Sequence, residues 1–128
     1  MSLRILTIDD SRMPRVMVAK VFQPLGCDVY EAPNATDGIS VAMAINPDLI
    51  FLDVTMPDMN GLVALEKMRQ IPALQATPII MLTAESGNVS VERADKQNVA
   101  GYIAKPFKSE QLLAIAGPIL NLKPLPSP

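Results

Sequence analysis

The sequence predicts an α/β fold, a doubly wound five-stranded parallel sheet with five helices packed on its two faces. Three observations lead there. Five short apolar runs alternate with longer segments whose apolar residues recur at helical spacing. The run "LIFL" at 49–52 is apolar without alternation, which suits a strand covered on both faces by crossover helices. At 128 residues and 49% hydrophobic content, the chain is long enough to bury one real core without disulfides.

The first strand is "LRILTI" at 3–8, followed by the polar turn Asp9, Asp10, Ser11 and a helix with Val18, Val21, Phe22 and Leu25 on one face. Pro14 falls in the first turn of that helix, where a missing N–H is tolerated, and Pro24 should kink or end it before Gly26. The second strand is "DVYE" at 28–31, and the next helix carries Ile39, Ala42 and Met43 on its face. The third strand, "DLIFL" at 48–52, runs through a Pro57 and Gly61 loop into a helix anchored by Leu62 and Leu65. "PIIML" at 78–82 is the fourth strand. The helix predicted over 86–98 has only Val89, Val91 and Ala94 as anchors, so it should be the least firmly held. "GYIA" at 101–104 is the fifth strand, and Leu112, Ile115, Ala116 and Ile119 give the last helix its apolar face. Gly117-Pro118 is expected to interrupt that helix. The domain is read as 1–122, and "KPLPSP" at 123–128 as a linker stub or tail.

Composition removes several function classes. The chain has no histidine, which excludes Ser-His and Cys-His catalysis, the usual zinc sites and a histidine phosphodonor. Its 11 basic residues are scattered among 13 acidic ones, and a net charge of -2 argues against a nucleic-acid surface on this domain. A single cysteine, Cys27, permits no internal disulfide and suits a reducing compartment. No apolar run approaches the roughly 18 residues of a membrane span, and "MSLRIL" lacks the pattern of a secretion signal. The expectation is a cytoplasmic protein without membrane attachment.

In a parallel α/β sheet, ligands bind beyond the carboxyl ends of the strands. The first strand runs into Asp9 and Asp10, the third into Asp53, the fourth into Thr83 and the fifth into Lys105, so these groups fall on one rim. Three crowded carboxylates repel one another and call for a cation. A few hard oxygen ligands suit Mg²⁺, which keeps waters and shares its site with phosphoryl groups. The Thr83 hydroxyl and the Lys105 ammonium offer a phosphoryl oxygen a donor and a positive charge. The spacing therefore points to a Mg²⁺-dependent phosphoryl site with Asp53 as nucleophile. Each residue also has a plainer reading. Asp10-Ser11 and Thr83 could cap helices, Asp53 could cap the helix starting near Asn60, and Lys105 could be a solvated loop lysine.

The motifs "DD" at 9–10, "DVTMPDMNG" at 53–61, "LTAE" at 82–85 and "GYIAKPF" at 101–107 together resemble the receiver domain of two-component response regulators, of the chemotaxis-regulator type. The resemblance spans about residues 3 to 121 and implies a flavodoxin-like sheet with strand order 2-1-3-4-5. It makes Asp53 the phosphoacceptor for a sensor histidine kinase or histidine phosphotransfer protein. Asp10, Asp53 and the backbone carbonyl of Thr55 become Mg²⁺ ligands, with Asp9 acting through a water. Thr83 and Lys105 contact the phosphoryl oxygens, and Lys105-Pro106 is a cis peptide. Thr83 and Tyr102 form a switch that reshapes the surface of the helix over 86–98, the fifth strand and the last helix, where a downstream output protein or a fused output domain reads the state. Tyr102 can also be read as a half-buried strand aromatic. Thr55 and Glu85 flank the path of the water that removes the phosphoryl group. Asn98 stands where the family often has Gly, and Asn also adopts the left-handed conformation that ends a helix.

Two other classes fit parts of this pattern. A phosphatase of the haloacid dehalogenase type also uses a strand-end Asp with Mg²⁺, but it carries a second Asp two residues on, where this chain has Thr55. A phosphorylation-independent interaction domain of the same fold would have no need to keep Asp9, Asp10, Asp53, Thr83 and Lys105 together.

Overall fold

A computed structural model of the chain describes residues 2–84 and 97–121. The five strands are β1 (Arg4–Ile8), β2 (Asp28–Ala32), β3 (Leu49–Asp53), β4 (Ile79–Ala84) and β5 (Gly101–Lys105). All neighbours pair in parallel, in the order β2-β1-β3-β4-β5. Four α-helices are described: α1 (Arg12–Phe22), α2 (Ala35–Ile45), α3 (Gly61–Arg69) and α4 (Ser109–Leu120). The helix predicted over 86–98 with its anchors, Glu85 and the tail 123–128 lie outside the described residues.

Side-chain alternation along the strands divides the apolar residues into two layers. Leu6, Ile8, Ile50, Leu52, Ile79 and Met81 pack with Leu62, Leu65 and Met68 of α3 and Ala42 of α2. Ile5, Leu49, Phe51, Ile80, Leu82 and Ile103 pack on the other face with Val18 and Phe22 of α1 and Leu112 and Ala116 of α4. Phe22 meets Phe51 at a ring-centroid distance of 5.8 Å, within the range where aromatic pairs attract. β3 sits in the middle of the sheet, and all five of its residues, Asp53 included, are buried.

Helix ends follow the local chemistry. α1 stops at Phe22, a 3₁₀ turn over Gln23–Leu25 absorbs Pro24, and Gly26 closes it at φ +87°, a left-handed angle that glycine takes without strain. Asn98 likewise sits at φ +55°. Two expectations are corrected. Met43 is 55% exposed, because the buried stripe of α2 is Ala35, Gly38 and Ala42. These small residues bring the helix so near the sheet that a Cβ on Gly38 would come within 2.5 Å of Ile8 Cδ1. Gly117-Pro118 does not interrupt α4, which continues to Leu120. Pro118 lies in its last turn, where only one intrahelical N–H is lost, from a position facing solvent.

At the end of the sheet opposite the strand carboxyl termini, Arg69 acts as a clamp. Its guanidinium donates to the carbonyls of Leu74, Thr77 and Gln97, each at 2.7 Å, and so ties the approaches to β4 and β5 to the end of α3. Burial pushes its pKa down.

Candidate functional site

The parallel register brings the ends of β1, β3 and β5 to one rim. Asp9, the residue after β1, is wholly buried, and Asp53, the last residue of β3, is 4% exposed. Asp53 does not cap α3, since Asn60 does so by accepting from Leu62 N at 2.7 Å. Asp9 Oδ1 accepts from Ser11 N at 2.9 Å, which folds the acidic turn back on itself. Lys105 ends β5, and its ammonium passes the end of β4 to reach Asp9 Oδ2 at 2.6 Å and Asp53 Oδ1 at 3.1 Å. It is no solvated loop lysine. Thr55 N also donates to Asp53 Oδ1, at 3.3 Å.

Asp10 is exposed, yet it joins Asp9 and Asp53 in a cluster where one carboxylate oxygen of each lies within 4.8 Å of the others. Burial and then the charge of Asp9 push the Asp53 carboxyl up to about 6, against the opposing pull of Lys105 and the Thr55 N–H. Burial works against the charge of Lys105, but the hydrogen bond and charge of Asp9, followed by those of Asp53, outweigh it and raise its pKa. One ammonium therefore leaves Asp53 under-neutralised. The donor set consists of hard carboxylate oxygens carrying more negative charge than Lys105 balances, and it fits a small divalent cation such as Mg²⁺.

Of the remaining predicted residues, Thr83 lies near the end of β4, Thr55 just after β3 and Tyr102 within β5. Thr83 is half-buried and follows Leu82, the register partner of Asp53. Tyr102 pairs in register with Met81 and packs on the α2/α3 side of the sheet. Alternation along β4 puts Thr83 on that same face. Thr55 is exposed. The Lys105-Pro106 peptide is cis.

Three supports are visible only in the structure, although Gly61 and Asp58 fall within the motif at 53–61. The backbone N–H of Gly61 donates to Val54 O at 2.6 Å, and a Cβ at Gly61 would fall 2.2 Å from Asp53 O, so only glycine allows α3 to start this close to Asp53. Arg15 in α1 donates from Nη1 to Asp9 O at 2.5 Å and from Nε to Glu31 Oε1 at 3.1 Å, fastening the acidic turn to α1 and β2. Asp58 accepts from Ala35 N, Thr36 N and Thr36 Oγ1 at 3.1, 2.9 and 2.8 Å, which ties the loop after β3 to the start of α2.

Residues 5–116 match the family model described as the response regulator receiver domain. This chain is a receiver domain. Among its relatives, the chemotaxis protein CheY of Bacillus subtilis is 34% identical over 94% of this receiver and 100% of its own length. Protein PilG of Pseudomonas aeruginosa is 30% identical over 87% of the receiver and 82% of its own length. The DNA-binding response regulator MtrA of Mycobacterium tuberculosis matches at 33% over 87% of the receiver, but over only 47% of its own length. The solved structure of the chemotaxis response regulator CheY4 of Vibrio cholerae superposes with a TM-score of 0.85 at 29% identity, covering 93% of this receiver and 99% of that chain. Phosphoryl acceptance in two-component signalling is the general function of the family. Receiver domains bind Mg²⁺ at an acidic pocket and interact with histidine kinases and output domains. No helix among the described residues is long and apolar enough to cross a membrane.

Proposed function

We propose that this receiver takes a phosphoryl group onto Asp53 from the phosphohistidine of a sensor kinase or histidine phosphotransfer protein, and so switches a partner-binding surface. The observation that carries the reading is the ion-paired cluster at the rim, where Lys105 lies 2.6 Å from Asp9 and 3.1 Å from Asp53. Above a pH of about 6 the Asp53 carboxylate is ionised and nucleophilic. The contacts of Asp53 given by Lys105 and Thr55 fall on Oδ1, which leaves Oδ2 as the attacking oxygen. As Oδ2 bonds to phosphorus, the phosphorus–nitrogen bond of the donor breaks and its electron pair returns to the imidazole. Lys105 and the Thr83 hydroxyl then face the transferred oxygens with a positive charge and a donor.

Asp9, Asp10, Asp53 and the carbonyl of Thr55 would hold Mg²⁺, whose charge stabilises the phosphoryl oxygens when bound. The switch runs from Thr83 to Tyr102, and Thr55 and Glu85 set how long the phosphoryl group lasts. Beyond gaining and losing its own phosphoryl group the domain is no enzyme. It occupies residues 1–122, works in the cytoplasm and delivers its output through a separate protein or a fused domain. The acidic pI of 5.0 supports a protein partner over nucleic acid for this domain.

The test is intact mass after incubation with acetyl phosphate, with and without Mg²⁺, for the wild type and Asp53→Asn. The expected result is one Mg²⁺-dependent phosphoryl adduct in the wild type and none in the variant. Label retained by the variant would refute Asp53 as acceptor. A folded wild type that takes no adduct and binds no beryllofluoride would instead be a phosphorylation-independent interaction domain.

A further inference from the structure

The loop between β3 and α3 is a part of the rim that secondary structure does not hold. One end is fixed by Asp53 in the sheet, the other by Gly61 N on Val54 O. Between them, Thr55 leans on Asp53 through a 3.3 Å hydrogen bond, and Pro57 limits the backbone without adding a donor. Val54 N donates to Leu82 O of β4 at 3.0 Å, and beyond Val54 the loop is tied to α2 by the side chain of Asp58. Its carboxylate accepts from the first two N–H groups of α2 and from the Thr36 hydroxyl, while Asn34 caps the third N–H, that of Asp37, at 2.8 Å. Asp58 is not part of the carboxylate cluster, and its carboxylate meets the start of α2. The Thr36 and Ala35 N–H groups hold its carboxyl down at about 2, so it stays ionised across the physiological range.

We infer that Asp58 is a positioning residue for the metal site. By hooking the loop onto the N-terminus of α2, it fixes Thr55 over Asp53 and so presets the backbone ligand beside the carboxylates. The inference rests on the Mg²⁺ site of the proposed function. Supports one step behind a metal's ligands commonly alter affinity by about 10- to 100-fold when lost. The bonds here are charge-assisted and come from a rigid helix end, so they can transmit such an effect.

Isothermal titration of Mg²⁺ into the protein, without phosphodonor and after circular dichroism confirms folding, tests this directly. Asp58→Ala is expected to weaken Mg²⁺ binding about tenfold. Asp58→Asn, which keeps one acceptor oxygen, should fall between Asp58→Ala and the wild type. Thr36→Val, which removes one of the three bonds without changing charge, should weaken binding about twofold to threefold. Phosphorylation by acetyl phosphate should show the same split, with a higher Mg²⁺ requirement and an unchanged rate at saturating Mg²⁺. Wild-type affinity in both Asp58→Ala and Thr36→Val, even with lowered melting temperatures, would make Asp58 a helix cap and nothing more. Equal losses in Asp58→Ala and Asp58→Asn with none in Thr36→Val would reduce its effect to charge and overturn the inference. Should Asp58→Ala not fold, Thr36→Val and Asp58→Asn decide alone. A wild type that binds no Mg²⁺ would refute the metal site itself, and the inference with it.

Discussion

Asp53→Asn should make the metal-free protein more stable. The substitution keeps the shape of the side chain and removes its charge. In the folded state the Asp53 carboxyl titrates at about 6 against an ordinary value of 3.8, so the fold resists the ionised form. About two pK units correspond to about 3 kcal/mol at a pH above both values. That figure already includes the attraction of Lys105 for the carboxylate, and in the variant Lys105 keeps its 2.6 Å partner Asp9. A gain of about 3 kcal/mol translates to about 10 °C for a chain of 128 residues. The sign sets the pH window. Below about 4 both proteins carry a neutral side chain at 53 and should melt together, and the wild type should fall behind as pH rises through about 6. Thermal melts by circular dichroism in EDTA, from about pH 4 to 8, read this out. Added Mg²⁺ should raise the wild type and narrow the gap, because it binds the native state with its full carboxylate set. A variant no more stable than the wild type in EDTA near neutral pH, or an advantage that grows on acidification, would refute the argument that burial and Asp9 strain Asp53.

Two further perturbations probe the same rim. Lys105→Ala removes the cation held between two buried carboxylates and should cost the metal-free protein about 3 kcal/mol, with Mg²⁺ restoring part of it. It should still accept phosphoryl from acetyl phosphate by intact mass, and phosphorylation-dependent partner binding that survives unimpaired would contradict its role in transmission. Gly61→Ala drives a Cβ into the Asp53 carbonyl at 2.2 Å and should destabilise by about 3 kcal/mol or more while weakening Mg²⁺ binding. A Gly61→Ala protein that melts and binds Mg²⁺ like the wild type would mean the loop can move aside freely.

The sequence by itself determined the strands and the rim, while their order in the sheet came with the family resemblance. "LIFLD" is legible because a strand buried on both faces must be apolar throughout, so an acid at its end stands out, and the same holds for the acids after β1 and the lysine that ends β5. Helix faces were legible where large residues mark them, as Val18 and Phe22 do in α1. They were misread in α2, where hydropathy favours Met43 while close packing selects Ala35, Gly38 and Ala42. Pro118 misled in the other direction, because its penalty depends on how near the helix end it falls.

Tertiary structure alone decided how the rim is held. That Lys105 lies between Asp9 and Asp53, that Arg15 grips the Asp9 carbonyl, and that Asp58 fastens its loop to Thr36 are matters of distance between residues far apart in the chain. Burial leaves a periodic trace in sequence because every turn of helix or pleat of strand repeats it. A single hydrogen bond across the fold repeats nothing, so its partners become visible only when the chain has brought them together.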